Sequence, residues 1–260
     1  MQISDYLDDI ARAAGFLSRL PMPARHFEDH DGSLTRASGM FPAAGLIIGL
    51  CPGLAILILS AVNANAALAA LLALTILIGV TGALHEDGLA DSADSFGALG
   101  GREQMLEIMK DSRIGTYGVL ALMVSFALRA LALTIIISVI GGWGAFLMLL
   151  GVAAASRAAM VWHWSALPPA RQNGVAASVG APDERARNLA LISGAIIYML
   201  FVTLASGLIT AALGLALLAA VARQWTSMVR SRLGGHTGDT IGATQQVGET
   251  VCLTALALLL

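Results

Sequence analysis

Long apolar stretches alternate with polar segments along the whole chain. The apolar stretches fall at approximately 41–62, 65–84, 117–140, 143–165, 188–205, 207–222 and 247–260. A helix that crosses a bilayer needs about 20 mostly apolar residues, so each stretch predicts a membrane-spanning helix. The run 188–222 is too long for one span, and Ser206-Gly207 is the expected break. The last stretch is short because the chain ends at Leu260, so it is expected to be incomplete or to lie partly in the interface. The first 20 residues read differently. Asp5, Asp8, Asp9, Arg12 and Arg19 are interleaved with Ile3, Leu7, Ile10, Phe16 and Leu17. That pattern has no continuous apolar core, so it is not a signal peptide. It predicts an amphipathic helix lying on the membrane surface. The expected fold is an all-α, polytopic integral membrane helical bundle with about 6–7 transmembrane helices and an N-terminal amphipathic helix. Residues 1–260 form a single domain on this reading.

Composition agrees with a membrane protein. The mean hydropathy is +0.78, and only 12% of the 260 residues are charged, against roughly 25% in a soluble globular domain. The net charge of −2 says nothing about partners, but the distribution of charge does. Segments 1–40, 85–116, 166–187 and 223–246 hold nearly every charged residue. The alternate connections, Asn63-Ala64-Asn65, Gly141-Gly142 and Ser206-Gly207, carry none. The arginines therefore share one side, which the positive-inside rule makes cytoplasmic. All the large polar loops then meet on one face, where a site can be assembled. Cys51 and Cys252 sit in apolar spans and read as buried packing residues, not a disulfide. Gly45, Gly49 and Gly53 recur every fourth residue, as in close helix packing within lipid. Trp162, Trp164 and Trp225 read as interfacial anchors.

Candidate chemistry gathers in three places. Asp87, Asp91 and Asp94 fall at i, i+4 and i+7, so a helix presents all three carboxylates on one face beside His85 and Glu86. Like charges in a row point to a hard divalent cation with oxygen ligands. The D-x-D-x-D-G order of an EF-hand is absent, and magnesium holding phosphate oxygens is the expected use. The second place is residues 232–246, where Gly234, Gly235, Gly238 and Gly242 alternate with His236, Thr237, Asp239 and Thr240. A glycine-rich segment ahead of a helix predicts a phosphate cradle, although it lacks the Gly-Lys-Ser/Thr ending of a P-loop. The third place is Arg129, near the middle of its span, and Arg157 in the next. No Asp or Glu is expected deep in any span to pair with them, Glu249 lying only near an edge. They therefore predict an anionic ligand, carboxylates dipping in from the loops, or arginines that snorkel or bond backbone carbonyls.

These residues resemble the adenosylcobinamide-GDP ribazoletransferase (cobalamin synthase) family. The resemblance covers nearly the whole chain. It runs through Phe16-Leu-Ser-Arg-Leu-Pro-Met-Pro23, Phe41-Pro-Ala-Ala-Gly45, His85-Glu-Asp-Gly-Leu-Ala-Asp-Ser-Ala-Asp94, Lys110-Asp-Ser-Arg-Ile-Gly-Thr-Tyr-Gly118 and Gly234-Gly-His-Thr-Gly-Asp-Thr-Ile-Gly-Ala243. It implies a magnesium-dependent transferase of the bacterial cytoplasmic (inner) membrane, multi-pass, with its active site on the cytoplasmic face. Such an enzyme joins adenosylcobinamide-GDP to α-ribazole or its 5′-phosphate, giving adenosylcobalamin or its 5′-phosphate and GMP. On this reading Asp87, Asp91, Asp94 and Glu86 hold Mg2+. His85 or Asp239 takes the hydroxyl proton. Arg113, Arg129, Arg157, His236, Thr237 and Thr240 bind substrate.

Two other classes fit less well. A CDP-alcohol phosphotransferase of phospholipid synthesis also uses carboxylates at a membrane face, but its D-G-x2-A-R spacing is missing: Asp87-Gly88 is followed by Leu89-Ala90-Asp91. A polytopic transporter would place its polar groups near mid-membrane, not in loops on one face. The expected partners are the two small-molecule substrates and the lipid bilayer, with no nucleic acid. A homo-oligomer is left open.

Overall fold

The computed structural model describes residues 3–28, 30–98, 100–171 and 178–260. Helices dominate these residues, and the one β-type pairing among them is an isolated bridge between Pro169 and His236. The surface helix α1 (Ile3–Leu17) leads to α2 (Phe41–Ala61) and α3 (Ala66–Thr81), then to the shorter α4 (Leu84–Gly97) and α5 (Arg102–Ile108). A long α6 (Thr116–Ala166), α7 (Glu184–Ser206), α8 (Leu208–Leu233) and α9 (Gly238–Leu259) complete the chain.

Helix α6 has 51 residues, about 76 Å of rise if straight, roughly two and a half times the thickness of a hydrocarbon core. It breaks at Gly141, whose φ of 73° and ψ of 175° are non-helical. The arms 116–140 and 142–166 are therefore two spans. Among the described residues, four helices are long and apolar enough to cross a membrane: Ala37–Ala61, Thr116–Ala166, Glu184–Ser206 and Leu208–Leu233. The pair α3 and α4 passes the same test together but is bent by 89°. Gly82 at φ 63° and Ala83 at φ 59° make that bend. Helix α3, with 16 residues, passes only together with α4, which runs nearly perpendicular to it.

Helices α2 and α7 both pack on the second arm of α6. A Cβ on Gly45 would lie 2.6 Å from the Ala153 carbonyl, and one on Gly53 2.6 Å from Phe146. A Cβ on Gly194 would lie 2.6 Å from the Cβ of Ala158. Without a solvent driving force, such close backbone contact supplies the packing energy between spans. A Cβ on Gly142 would meet Ser60, so the charge-free turns after α2 and within α6 lie together, while bonds from Arg102 to the Leu233 and Ala170 carbonyls gather described parts of three polar segments.

Three expectations are corrected. The last helix starts earlier than expected: α9 begins at Gly238, not near 247, has 22 residues, and is not among the helices apolar enough to count as candidate spans. Its polar side chains are interior. Thr240, Thr244, Gln245, Gln246 and Glu249 are all buried, packed against α6, α4 and α8. Secondly, Trp164 is no interfacial anchor: it is buried against Phe41, with ring centroids 6.2 Å apart. Thirdly, Cys51 is exposed on the outer surface, whereas Cys252 is buried as expected, and both are free thiols. Helix α1 is amphipathic but not merely adsorbed. Its Asp9 is buried, accepting from Arg36 Nε at 2.7 Å and Nη2 at 3.0 Å, which ties α1 to the entry of α2.

Candidate active site at the polar end of the bundle

Two helix ends build the site. The turn at Gly82-Ala83 throws α4 across the bundle, and Gly88 lets α4 meet the start of α9. A Cβ at Gly88 would lie 2.6 Å from the Asp239 carbonyl, closer than real Cβ contacts allow. Asp87 and Asp91 therefore stand beside Asp239, 152 and 148 residues further along the chain. Asp87 and Asp239 line a cavity of about 220 Å³ together with His85, Trp164, Phe16 and Gly242. Thr237 caps α9 reciprocally: its hydroxyl accepts from the Thr240 N–H at 3.2 Å, and its own N–H donates to Thr240 Oγ1 at 2.9 Å. This capping box begins the helix among glycines and threonines of poor helix propensity. It also corrects the expected cradle, because residues 238–246 are helix and only the short Gly234–Thr237 stretch connects α8 to α9.

Asp91 is half-buried among like charges. Burial, then the negative charges of Asp239, Asp87 and Asp94, pushes its carboxyl up to about 7. Burial also raises the Asp239 carboxyl, against the opposing pull of Arg171 and of the Thr237 hydroxyl bond. Arg171 Nη2 lies 3.5 Å from Asp239 Oδ2, and Thr237 Oγ1 donates to the same oxygen at 3.2 Å. Asp94 is engaged otherwise. Its two oxygens accept backbone N–H bonds from Gly115 at 2.7 Å and Gly118 at 2.8 Å, so it anchors the first turn of α6. Among the described residues, no three His, Cys, Asp or Glu converge as a closed metal cage.

Below the aspartates lies a buried charge network. Arg129 donates to Glu249 Oε1 at 3.1 Å and to Glu86 Oε1 at 3.3 Å. Arg157 donates to Glu249 Oε2 at 3.2 Å. Gln245 Nε2 donates to Glu249 Oε2 at 2.6 Å, and Gln246 Nε2 to Glu86 Oε1 at 2.9 Å. The expectation that the span arginines lack acidic partners is therefore overturned. Once α9 begins at Gly238, Glu249 stands three turns inside it. Glu86, expected with the metal ligands, is turned inward to Arg129 and away from the aspartate face.

The remaining expected residues divide. His85 is buried at the cavity wall, and neither ring nitrogen has a hydrogen-bond partner. Burial and the charges of Arg157 and Arg129 push its pKa well below the ordinary histidine range, so the ring is neutral. His236 is buried beside the site and bonded through its backbone to Pro168 and Ala170 at 2.8 Å each. Burial lowers its ring pKa to about 4. Thr237 and Thr240 serve the helix cap, and Thr240 also meets His163 Nε2 at 3.1 Å. Arg113 is exposed in the loop before α6 and paired with Asp111 at 2.6 Å. The residues that sequence reasoning missed are Arg171, Gln245, Gln246 and Glu249. The spacing of Gln245 and Glu249, i and i+4 ahead of an apolar run, was the available signal.

Comparison with known proteins gives one consistent result. Residues 9–257 match the family described as cobalamin-5-phosphate synthase. A relative from Sinorhizobium medicae, named adenosylcobinamide-GDP ribazoletransferase, is 51% identical over 259 residues, covering 99% of this chain and 98% of the relative. Relatives of the same name from Rhizobium etli and Brucella ovis are 51% and 40% identical, the first covering 99% of both chains and the second 100% of both. No solved structure matches the chain significantly.

Proposed function

Because this chain belongs to the cobalamin-5-phosphate synthase family, we propose that it is an adenosylcobinamide-GDP ribazoletransferase whose chemistry occurs where α4 meets the start of α9. It joins adenosylcobinamide-GDP to α-ribazole or its 5′-phosphate and releases GMP. A ribose hydroxyl oxygen bonds to the phosphorus on the cobinamide side as the bond from that phosphorus to GMP breaks. The single observation that carries this assignment is the approach of Gly88 to Asp239, which sets Asp87 and Asp239 on the wall of one cavity, with Asp91 one turn further along α4.

Asp87 and Asp91 are the residues we assign to hold magnesium. The donor chemistry fits: magnesium is ordinarily held by one or two carboxylates plus substrate phosphates and water, not by a closed protein cage. Burial first, and then the charges of Asp239, Asp87 and Asp94, raise the Asp91 carboxyl; a bound dication would offset the second of these. When bound, the ion offsets charge on the pyrophosphate and on departing GMP. Asp239 has a raised carboxyl pKa and accepts the hydroxyl proton, since a base works best when its pKa approaches the working pH. Arg171, held beside Asp239, supplies positive charge to the transferring phosphate, and Arg113 presents a second cation from the exposed loop. His85 remains neutral and offers a ring nitrogen to substrate at the cavity wall. Arg129 and Arg157 do not reach substrate on this reading; they hold the floor of the site in place. The arginine-rich polar end faces the cytoplasm of the bacterial inner membrane, by the positive-inside rule.

The test is direct. Purified protein in lipid, given adenosylcobinamide-GDP, α-ribazole phosphate and magnesium, should release GMP, with loss of activity on chelation. Absence of GMP from folded protein across a magnesium titration would overturn the assignment.

A further inference from the structure

On the opposite side of the second α6 arm from the proposed active site, two cavities join end to end. The first is an apolar groove of about 420 Å³ between α6, α7 and α8, lined by Ala155, Ala159, Leu191, Ala195, Leu215 and Ala219 among others, with Trp162 and Arg223 also on its wall. The second is a polar pocket of about 400 Å³ that shares Trp162 and Arg223 and adds Ser165, Arg187, Ser227 and Arg230. Both volumes fall in the range of ligand-binding cavities. Neither shares a lining residue with the cavity that holds His85, Asp87 and Asp239.

The depth of this composite cavity is set by the sequence. The apolar part of α8 ends near Ala222, so Arg223 marks the level at which hydrocarbon gives way to headgroups. Trp162 on the facing helix stands at the same level, a usual place for tryptophan. The groove therefore lies at acyl-chain depth and the arginine pocket at headgroup depth. The three arginines are only partly satisfied. Arg230 donates one nitrogen to the Ala166 carbonyl at 3.0 Å. Arg187 touches Asn188 at 3.2 Å and the exposed Glu184 at 3.5 Å. Arg223 makes no hydrogen bond or ion pair among the described residues. One exposed carboxylate against three guanidinium groups leaves the pocket positive. A snorkelling arginine needs only water at its head. Three converging on one pocket, above an apolar groove that continues it, match an amphiphile with an anionic head.

We propose that this composite cavity binds one anionic phospholipid, with its phosphate among Arg187, Arg223 and Arg230 and an acyl chain in the groove between α6, α7 and α8. Basic pockets between transmembrane helices on the cytoplasmic side bind such headgroups, each cation adding on the order of 1 kcal/mol. The site is separate from the transferase chemistry and does not depend on that assignment.

Native mass spectrometry and thermal melting of the whole protein in detergent test it, with phosphatidylglycerol, phosphatidylcholine of the same chains, and inorganic phosphate as probes. One phosphatidylglycerol should be retained and should raise the melting temperature more than phosphatidylcholine does. Affinity should fall roughly fivefold for each arginine lost in Arg223→Ala and in Arg223→Ala with Arg230→Ala. Ala219→Phe, which fills the groove without altering charge, should also weaken phosphatidylglycerol binding. All three variants change exposed residues, and melting without lipid checks that each is folded. Equal binding of the two lipids would overturn the headgroup assignment. A shift from inorganic phosphate equal to that from phosphatidylglycerol would make the pocket a phosphate site and overturn the lipid. Wild-type lipid binding by Ala219→Phe would remove the groove from the proposal.

Discussion

Arg129 and Glu249 meet at 3.1 Å inside the bundle, 1% and 0% exposed, across 120 residues of chain. Glu249 also holds Arg157 with its other oxygen, so one carboxylate balances parts of two buried cations. Removing it leaves Arg157 without a carboxylate partner and Arg129 with Glu86 alone.

Glu249→Gln should therefore destabilise the protein on the order of 3 kcal/mol or more, the scale for leaving a buried charge without its partner. Combining it with Arg157→Met should recover part of the loss, because the double variant no longer buries that uncompensated charge. Thermal melting in detergent measures both. A double variant less stable than Glu249→Gln alone would show that Arg157 is held by other groups.

Asp94→Ala should lower stability by about 1–2 kcal/mol, the cost of losing a side chain that satisfies N–H groups at a helix start. The Gly115 and Gly118 amides lose their acceptor. The magnesium concentration for half-maximal rate should stay at its wild-type value. A several-fold rise in that concentration would return Asp94 to the metal site.

Asp91→Asn should cost two or more orders of magnitude in the rate of GMP release, about 3 kcal/mol of transition-state stabilisation, and should weaken magnesium dependence with it. The substitution keeps size and removes one negative charge. Near-normal rate with unchanged magnesium dependence would take Asp91 out of the metal set.

Metal-free protein should lose stability as pH rises. The Asp91 carboxyl sits near about 7 when folded and near 4 when unfolded. The unfolded chain thus releases its proton first, and stability falls from about pH 4 until the folded group has ionised, near pH 7. Asp91→Asn should flatten that slope, and magnesium should raise the melting temperature more at pH 8 than at pH 6, because the carboxylate it needs is already ionised there. Melting curves in chelator and in magnesium at the two pH values check this. An identical slope in wild type and Asp91→Asn would contradict it.

Gly88→Ala changes no chemical group, yet it should cut turnover at least tenfold, because the added Cβ falls 2.6 Å from the Asp239 carbonyl. The helices must part, and Asp87 and Asp91 move away from Asp239. The readout is GMP release with folding checked by melting. Full activity would show that the separation of these helices does not matter to the reaction.

Much was legible in the chain alone, because it is local. Apolar stretches of bilayer length are spans wherever they fold, and charge confined to alternate loops orients them. Asp87 and Asp91 share a helix face by spacing. The motifs from Phe16 to Ala243, taken together in their order, carried the resemblance to the family; no one of them would have done so alone. The start of α9 was not legible, since Gly238, Thr240 and Gly242 are poor helix formers; the Thr237 cap and burial against α4 override that propensity. The roles of Asp94, Glu86 and the two span arginines were equally hidden. Each depends on a partner from another helix: the amides of Gly115 and Gly118, the guanidinium of Arg129, the carboxylate of Glu249. Only the tertiary structure decides which of several like carboxylates meets a cation, which meets a backbone amide and which is left to a metal. A carboxylate's partner is chosen by what packs within about 3 Å of it, and sequence spacing does not carry that distance.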